Sequence, residues 1–149
     1  EMVSALVIED MAPDFRGHTT RDWTPWFDSW PERFGSVEQA QQMFGEVAGR
    51  YFFEAFDDGR LHGDLQIWTE LAEEWARRDF WSQWRAVDVP SLLIEAGNSV
   101  TPPGQMRTMR SLQQYADHLC VVGAGHLVHD DAPDVYQGAV EAFLSALPR

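Results

Sequence analysis

His118-Leu119-Cys120-Val121-Val122-Gly123-Ala124-Gly125-His126 is a short apolar run that breaks into a glycine-rich turn and ends on a histidine. A continuous apolar run of this length, bounded by turn residues, suits a parallel strand buried on both faces. Two more such runs exist: Ala5-Leu6-Val7-Ile8-Glu9-Asp10, closed by Met11-Ala12-Pro13, and Ser91-Leu92-Leu93-Ile94-Glu95-Ala96, which follows Pro90. Helical spacing is expected from about Pro103 to Tyr115, and again from about Pro133 to Leu147, where Asp130 or Asp131 is placed to cap the helix. Strands that alternate with helices imply β-α-β crossovers, a parallel sheet and the α/β class.

Between the first two strands the text changes. All seven tryptophans, at 23, 26, 30, 68, 75, 81 and 84, fall there. Asp22-Trp23-Thr24-Pro25-Trp26-Phe27 reads as a short capped helix. Ser36 and Gln39 form a capping-box pattern that opens a helical run to about Phe56, stopped by Asp57-Asp58-Gly59. Leu65, Trp68, Leu71, Ala72 and Trp75 then make one stripe of an amphipathic helix over 65–77. The expected organisation is a sheet portion from residues 1–13 and 87–149, interrupted by a helical insertion over 14–86. The aromatic residues of the insertion, with Phe27, Phe52, Phe53 and Phe80, are expected to form its core.

A length of 149 residues allows one ordinary domain. With 11 Lys+Arg against 24 Asp+Glu the net charge is −13, so the long-range field repels phosphate backbones and anionic lipid, and neither nucleic acid nor a membrane is expected as a partner. A hydrophobic share of 44% argues against disorder. The single cysteine, Cys120, excludes an internal disulfide and cysteine-based zinc motifs, and leaves the cytosol as the default compartment. The chain begins at Glu1, in the lead-in to a strand, and we expect it to be part of something longer. Three buried strands also leave the 5–10 strand with an edge that needs a neighbour, either a missing amino-terminal half or a second copy of the chain.

The residues that carry chemistry are expected where the strands end. In open α/β sheets, ligands gather beyond the carboxyl ends of the strands. His126 follows the third strand and Asp10 ends the first, so the two can meet as base and orienting acid of a nucleophile–His–acid relay. A histidine in a turn also has a purely structural reading. His126 and His129, three apart and beside Asp130 and Asp131, could instead form a metal cluster, and His126 with Asp131 mimics a short acyltransferase signature. His18, His62 and His118 are expected at the surface or in the insertion.

Gly123-Ala124-Gly125-His126-Leu127-Val128-His129-Asp130-Asp131-Ala132-Pro133, with the helix ending Ala142-Phe143-Leu144, resembles the catalytic-histidine segment of the α/β-hydrolase superfamily. Leu6–Pro13 resembles that fold's sixth strand and Pro90–Ser99 its seventh, while the insertion falls where those enzymes keep a helical cap. The resemblance spans essentially the whole chain but only the carboxyl-terminal part of the family fold. It implies a serine hydrolase acting on a small carboxylic ester, with His126 as general base and no cofactor or metal. Most members carry the acid after the seventh strand, where this chain has Asn98-Ser99. Esterases of the YbfF kind are similar in having Gly-Asn-Ser there and taking the acid from Asp-x-x-Pro after strand six. That resemblance implies Asp10 as the acid, three residues before Pro13; Glu9, which period-two alternation sends to the other strand face, is the runner-up and Glu95 third.

No Gly-x-Ser-x-Gly occurs in the sequence, so the resemblance implies a nucleophile supplied by a separate amino-terminal segment and an isolated chain without activity. Two alternatives remain at this level. The chain could be a non-catalytic remnant of the fold that binds a ligand, a partner or itself. The same scaffold also hosts lactonase, thioesterase, amidase, haloperoxidase and carbon–carbon bond hydrolase chemistry.

Overall fold

A computed structural model describes residues 3–147 other than 55, 58–59 and 62–63. The expectations placed on Glu1, Asp58, Gly59 and His62 lie outside the described residues. In chain order the elements are β1 (Leu6–Glu9), a π-helical turn (Thr19–Trp23), α1 (Thr24–Asp28), α2 (Val37–Phe44), α3 (Glu46–Glu54), β2 (Phe56–Asp57), β3 (Arg60–Leu61) and α4 (Leu65–Arg77). They continue with α5 (Trp81–Arg85), β4 (Ser91–Ala96), α6 (Gln105–Leu112), β5 (Ala116–Val121), α7 (Val128–Asp131) and α8 (Pro133–Ala146). The chain divides into two compact units, Glu1–Phe15 with Arg78–Arg149, and Arg16–Arg77. No helix among the described residues is long and apolar enough to cross a membrane.

The first unit is a three-stranded parallel sheet in the order β1-β4-β5. Its register pairs Leu6 with Ser91 and Glu9 with Ile94 on one side of β4, and Ser91 with Ala116 and Ala96 with Val121 on the other. All six residues of β4 are buried, which is why its sequence is apolar without alternation. Successive side chains point to opposite faces. Leu92, Ile94 and Ala96 pack with Val121 and Val128, against Tyr136, Val140 and Phe143 of α8. Leu93 packs on the other face with Trp84, Met106, Met109 and Ala116. Each fully buried Leu or Ile of this kind contributes roughly 1.5–3 kcal/mol.

Helix α5 belongs to this sheet unit. The Trp84 indole donates from Nε1 to the Met109 carbonyl at 3.0 Å, and Gln113 Nε2 donates to the Trp84 carbonyl at 2.7 Å. The third strand starts two residues earlier than its apolar run and ends at Val121, leaving Val122 91% exposed. Pairing with β4 decides this, because the Val121 carbonyl accepts the Gly97 N–H, which starts the next turn. Helix α6 is shorter than its sequence pattern, opening after Gly104 in the left-handed region (φ 79) and closing at Gln113.

The second unit has an aromatic core of Phe27, Trp30 and Phe34 with Ala40 and Ala72. Phe44 stacks on Phe52 at 4.3 Å and meets Trp30 edge-on at 4.9 Å. Such pairs add about 0.5–1.5 kcal/mol each beyond their burial. Ser36 caps α2, its hydroxyl accepting the Gln39 N–H at 3.4 Å. The single run expected from Ser36 to Phe56 is two helices, because Gly45 adopts φ 91 and turns the chain between them. The two helices then approach at Gly49, where an added Cβ would lie 2.7 Å from the Ala40 carbonyl carbon. On α4, Leu65 and Ala72 of the expected stripe face the core, while Trp68 and Leu71 are 44% and 41% exposed.

Candidate active site

Asp10 closes β1 in an unusual backbone conformation, φ 40, the only described non-glycine residue with positive φ. L-residues reach this region at a cost, and aspartate tolerates it better than most. The turn aims the carboxylate across the carboxyl ends of β4 and β5. The side chain is 0% exposed, and each oxygen accepts two hydrogen bonds. Oδ1 takes the Ser99 hydroxyl at 2.6 Å and the Ala96 N–H at 3.0 Å. Oδ2 lies 3.0 Å from His126 Nδ1 and accepts the Val100 N–H at 3.4 Å. Burial pushes the Asp10 carboxyl up, but the bonds from His126, Ser99, Ala96 and Val100 outweigh it and hold the group below its ordinary value.

An ionised Asp10 accepts only, so His126 Nδ1 is the donor in this contact, and in the neutral imidazole Nε2 is then the nitrogen that can accept. The His126 side chain is 42% exposed. The arrangement can abstract a proton at Nε2 and hold the resulting imidazolium beside a buried carboxylate.

The loop that presents His126 is tied on both sides. Asn98 Nδ2 donates to the Gly123 carbonyl at 3.1 Å, and the Asn98 N–H to the Ala124 carbonyl at 2.9 Å. The Gly125 N–H donates to Asp131 Oδ2 at 2.7 Å. The capping role expected of Asp130 or Asp131 is therefore not found. Ala132 precedes α8, and the Asp131 carboxylate braces the histidine loop instead.

The runner-up acids face elsewhere. Glu9 projects from the opposite face of β1 and binds His129, its two oxygens 2.8 and 2.9 Å from Nδ1. Glu95 lies on the sheet face with His118, Oε2 to Nε2 at 2.8 Å. His118 is thus a largely buried partner on β5, not a surface or insertion residue. His18 sits beside Arg21 in the second unit. His126, His129, Asp130 and Asp131 do not assemble a metal cluster, and among the described residues no group of three or more His, Cys, Asp or Glu is placed to hold an ion. Ser99 is the contributor that spacing did not single out. Its only sequence signal is its place just past a strand's carboxyl end, where the Asn98-Ser99 pair registers first as a missing acid.

The sequence matches no protein-family model and no curated protein. Solved structures resemble the chain closely in backbone. E-2-(acetamidomethylene)succinate hydrolase superposes with a TM-score of 0.80 at 18% identity, over 97% of this chain and 59% of its own. MGS-M2, an α/β-hydrolase enzyme from a Medee basin deep-sea metagenome library, gives 0.63 at 12% identity, over 99% and 58%. A thermophilic esterase from Thermogutta terrifontis gives 0.60 at 19% identity, over 95% and 55%. The chain spans less than three-fifths of the length of these structures. Its three parallel strands and flanking helices are those of the carboxyl-terminal part of an α/β-hydrolase fold.

Proposed function

We propose that this chain supplies the base and the orienting acid of a serine hydrolase acting on small carboxylic esters. The supporting observation is the contact between His126 Nδ1 and a buried, fourfold hydrogen-bonded Asp10 at the rim of the sheet. In the reaction His126 Nε2 removes the proton from a nucleophilic hydroxyl as its oxygen bonds to the ester carbonyl carbon. The alcohol oxygen leaves with that proton as the carbon–oxygen bond breaks, and water then releases the acid by the same two transfers.

The nucleophile and the amides that stabilise the oxyanion come from a separate amino-terminal segment, since the sequence holds no Gly-x-Ser-x-Gly. The tryptophan-rich unit stands in the chain between the first and second strands of the sheet, the place the resemblance gives to a cap. The test is turnover of the protein completed by a nucleophile-bearing segment. His126→Ala is expected to lower kcat by roughly 10³- to 10⁶-fold, as loss of a triad histidine does. Esterase activity within a few-fold of the parent would refute the assignment. The second reading, a non-catalytic binding remnant, draws on the same missing elbow. It predicts that a serine-directed probe labels nothing in any assembly the chain forms.

A further inference from the structure

Glu9 and Asp10 are consecutive carboxylates that serve different partners on the same loop. The Glu9 carboxylate lies against His129 Nδ1 and also accepts the His129 backbone N–H at 2.9 Å. That N–H belongs to the first turn of α7, where helical amides have no intrahelical acceptor. Leu127, which precedes the helix, offers no side-chain cap. Glu9 therefore caps α7 from a strand 120 positions away in sequence. His129 is further enclosed by Asp130, whose Oδ2 lies 3.7 Å from Nε2, and by the Tyr136 ring at 5.8 Å.

His126 stands between the anchors of its loop, beside the brace of Asp131 on the Gly125 N–H. Upstream, Asn98 holds the Gly123 and Ala124 carbonyls. Downstream, Glu9 holds His129, and β1 presents Glu9 and Asp10 from adjoining positions. The anchor of α7 and the acceptor of the His126 ring thus come from consecutive residues at one strand end.

We propose that Glu9 is a positioning residue: by capping α7 at His129 it fixes the segment 126–129 so that the His126 ring meets Asp10 through Nδ1. The role matters to turnover only if His126 is the base, and so rests on that reading. Ring geometry, however, can be read without turnover.

The experiment is long-range ¹H–¹⁵N NMR of the histidine rings in the protein and three variants, followed from neutral to mildly alkaline pH. The parent is expected to show His126 as one tautomer, protonated at Nδ1. Glu9→Ala is expected to average the two His126 tautomers. Glu9→Gln, whose amide oxygen still accepts the His129 N–H, is expected to restore the single tautomer. His129→Pro deletes the same N–H, at the second helical position of α7, and is expected to reproduce Glu9→Ala if that variant does not fold. A single Nδ1-protonated tautomer in Glu9→Ala or in folded His129→Pro would overturn the proposal. Mixed tautomers in the parent itself would instead overturn the Asp10–His126 assignment, so the two failures are distinct. In the completed enzyme Glu9→Ala is expected to lower kcat about 10- to 100-fold with KM unchanged, the size of effect that an ångström of misplacement produces, and Glu9→Gln to recover most of it.

Discussion

Asp10 concentrates the site's energetics in one side chain. A positive φ and complete burial both oppose an aspartate, and four donors compensate. Local strain of this kind persists where the surroundings over-determine it. The hydrogen bonds hold the folded carboxyl below 3.8, its ordinary value. Protonation therefore favours the unfolded chain, and the Asp10 contribution is complete above pH 3.8 and lost as pH falls through the lower folded value. The thermal midpoint of the parent is expected to exceed that of Asp10→Asn at neutral pH, with the gap narrowing in acid. A gap that stays constant across that window would show that the bonds do not depend on ionisation. Ser99→Ala removes a short bond to a charged acceptor, worth about 1.5–3 kcal/mol, and is expected to raise the Asp10 pKa toward 3.8, as carboxyl NMR titration would show.

At the scale of elements, the site depends on how closely the ends of β4 and β5 cross. A Cβ at Gly97 would lie 2.7 Å from the Gly123 N and 2.9 Å from the Val121 carbonyl oxygen, both backbone atoms. Gly97→Ala must push the two loops apart, and overpacking of this kind costs about 1–3 kcal/mol. Urea denaturation is expected to show that loss, and ring NMR to show His126 displaced from Asp10. Trp84 holds the opposite face. At 5% exposure, with its indole bonded to Met109, truncation to alanine is expected to cost about 3–5 kcal/mol with an unchanged m-value. The strands were legible because residues buried on both faces give continuous apolar runs. The break at Gly45 and the exposed half of the α4 stripe were not, because helical periodicity records amphipathicity without showing which residues find a partner.

At the scale of the whole molecule, β1 is an edge of the described sheet. The Leu6 and Asp10 N–H groups bond to the Pro90 and Ile94 carbonyls. Alternation in a parallel ladder therefore directs the Val7 and Glu9 N–H groups to the other edge, along which no described strand pairs. An apolar strand with an open edge invites another chain. Native mass spectrometry is expected to find the parent associated, either with a nucleophile-bearing segment or with a second copy. Val7→Pro, which deletes one outward N–H, is expected to dissociate it. A parent that is monomeric at micromolar concentration would refute the edge assignment.

By itself the sequence determined the α/β class, the three strands to within two residues and the placement of Asp10 and His126 at strand ends, because burial and chain order write these locally. It also excluded an internal elbow of the Gly-x-Ser-x-Gly form, since a motif is present or absent irrespective of folding. Only the tertiary structure decided which histidine each of three carboxylates meets. Glu9, Asp10 and Glu95 differ little in local text, and the pleat of β1, the register of β4 against β5 and the turn at Asp10 send them to His129, His126 and His118 respectively. The same holds for Asp131, a helix cap by spacing and a brace of the histidine loop in space. Such partners lie up to 120 residues apart, a distance at which pairing is set by topology and register and leaves no periodic trace in the chain.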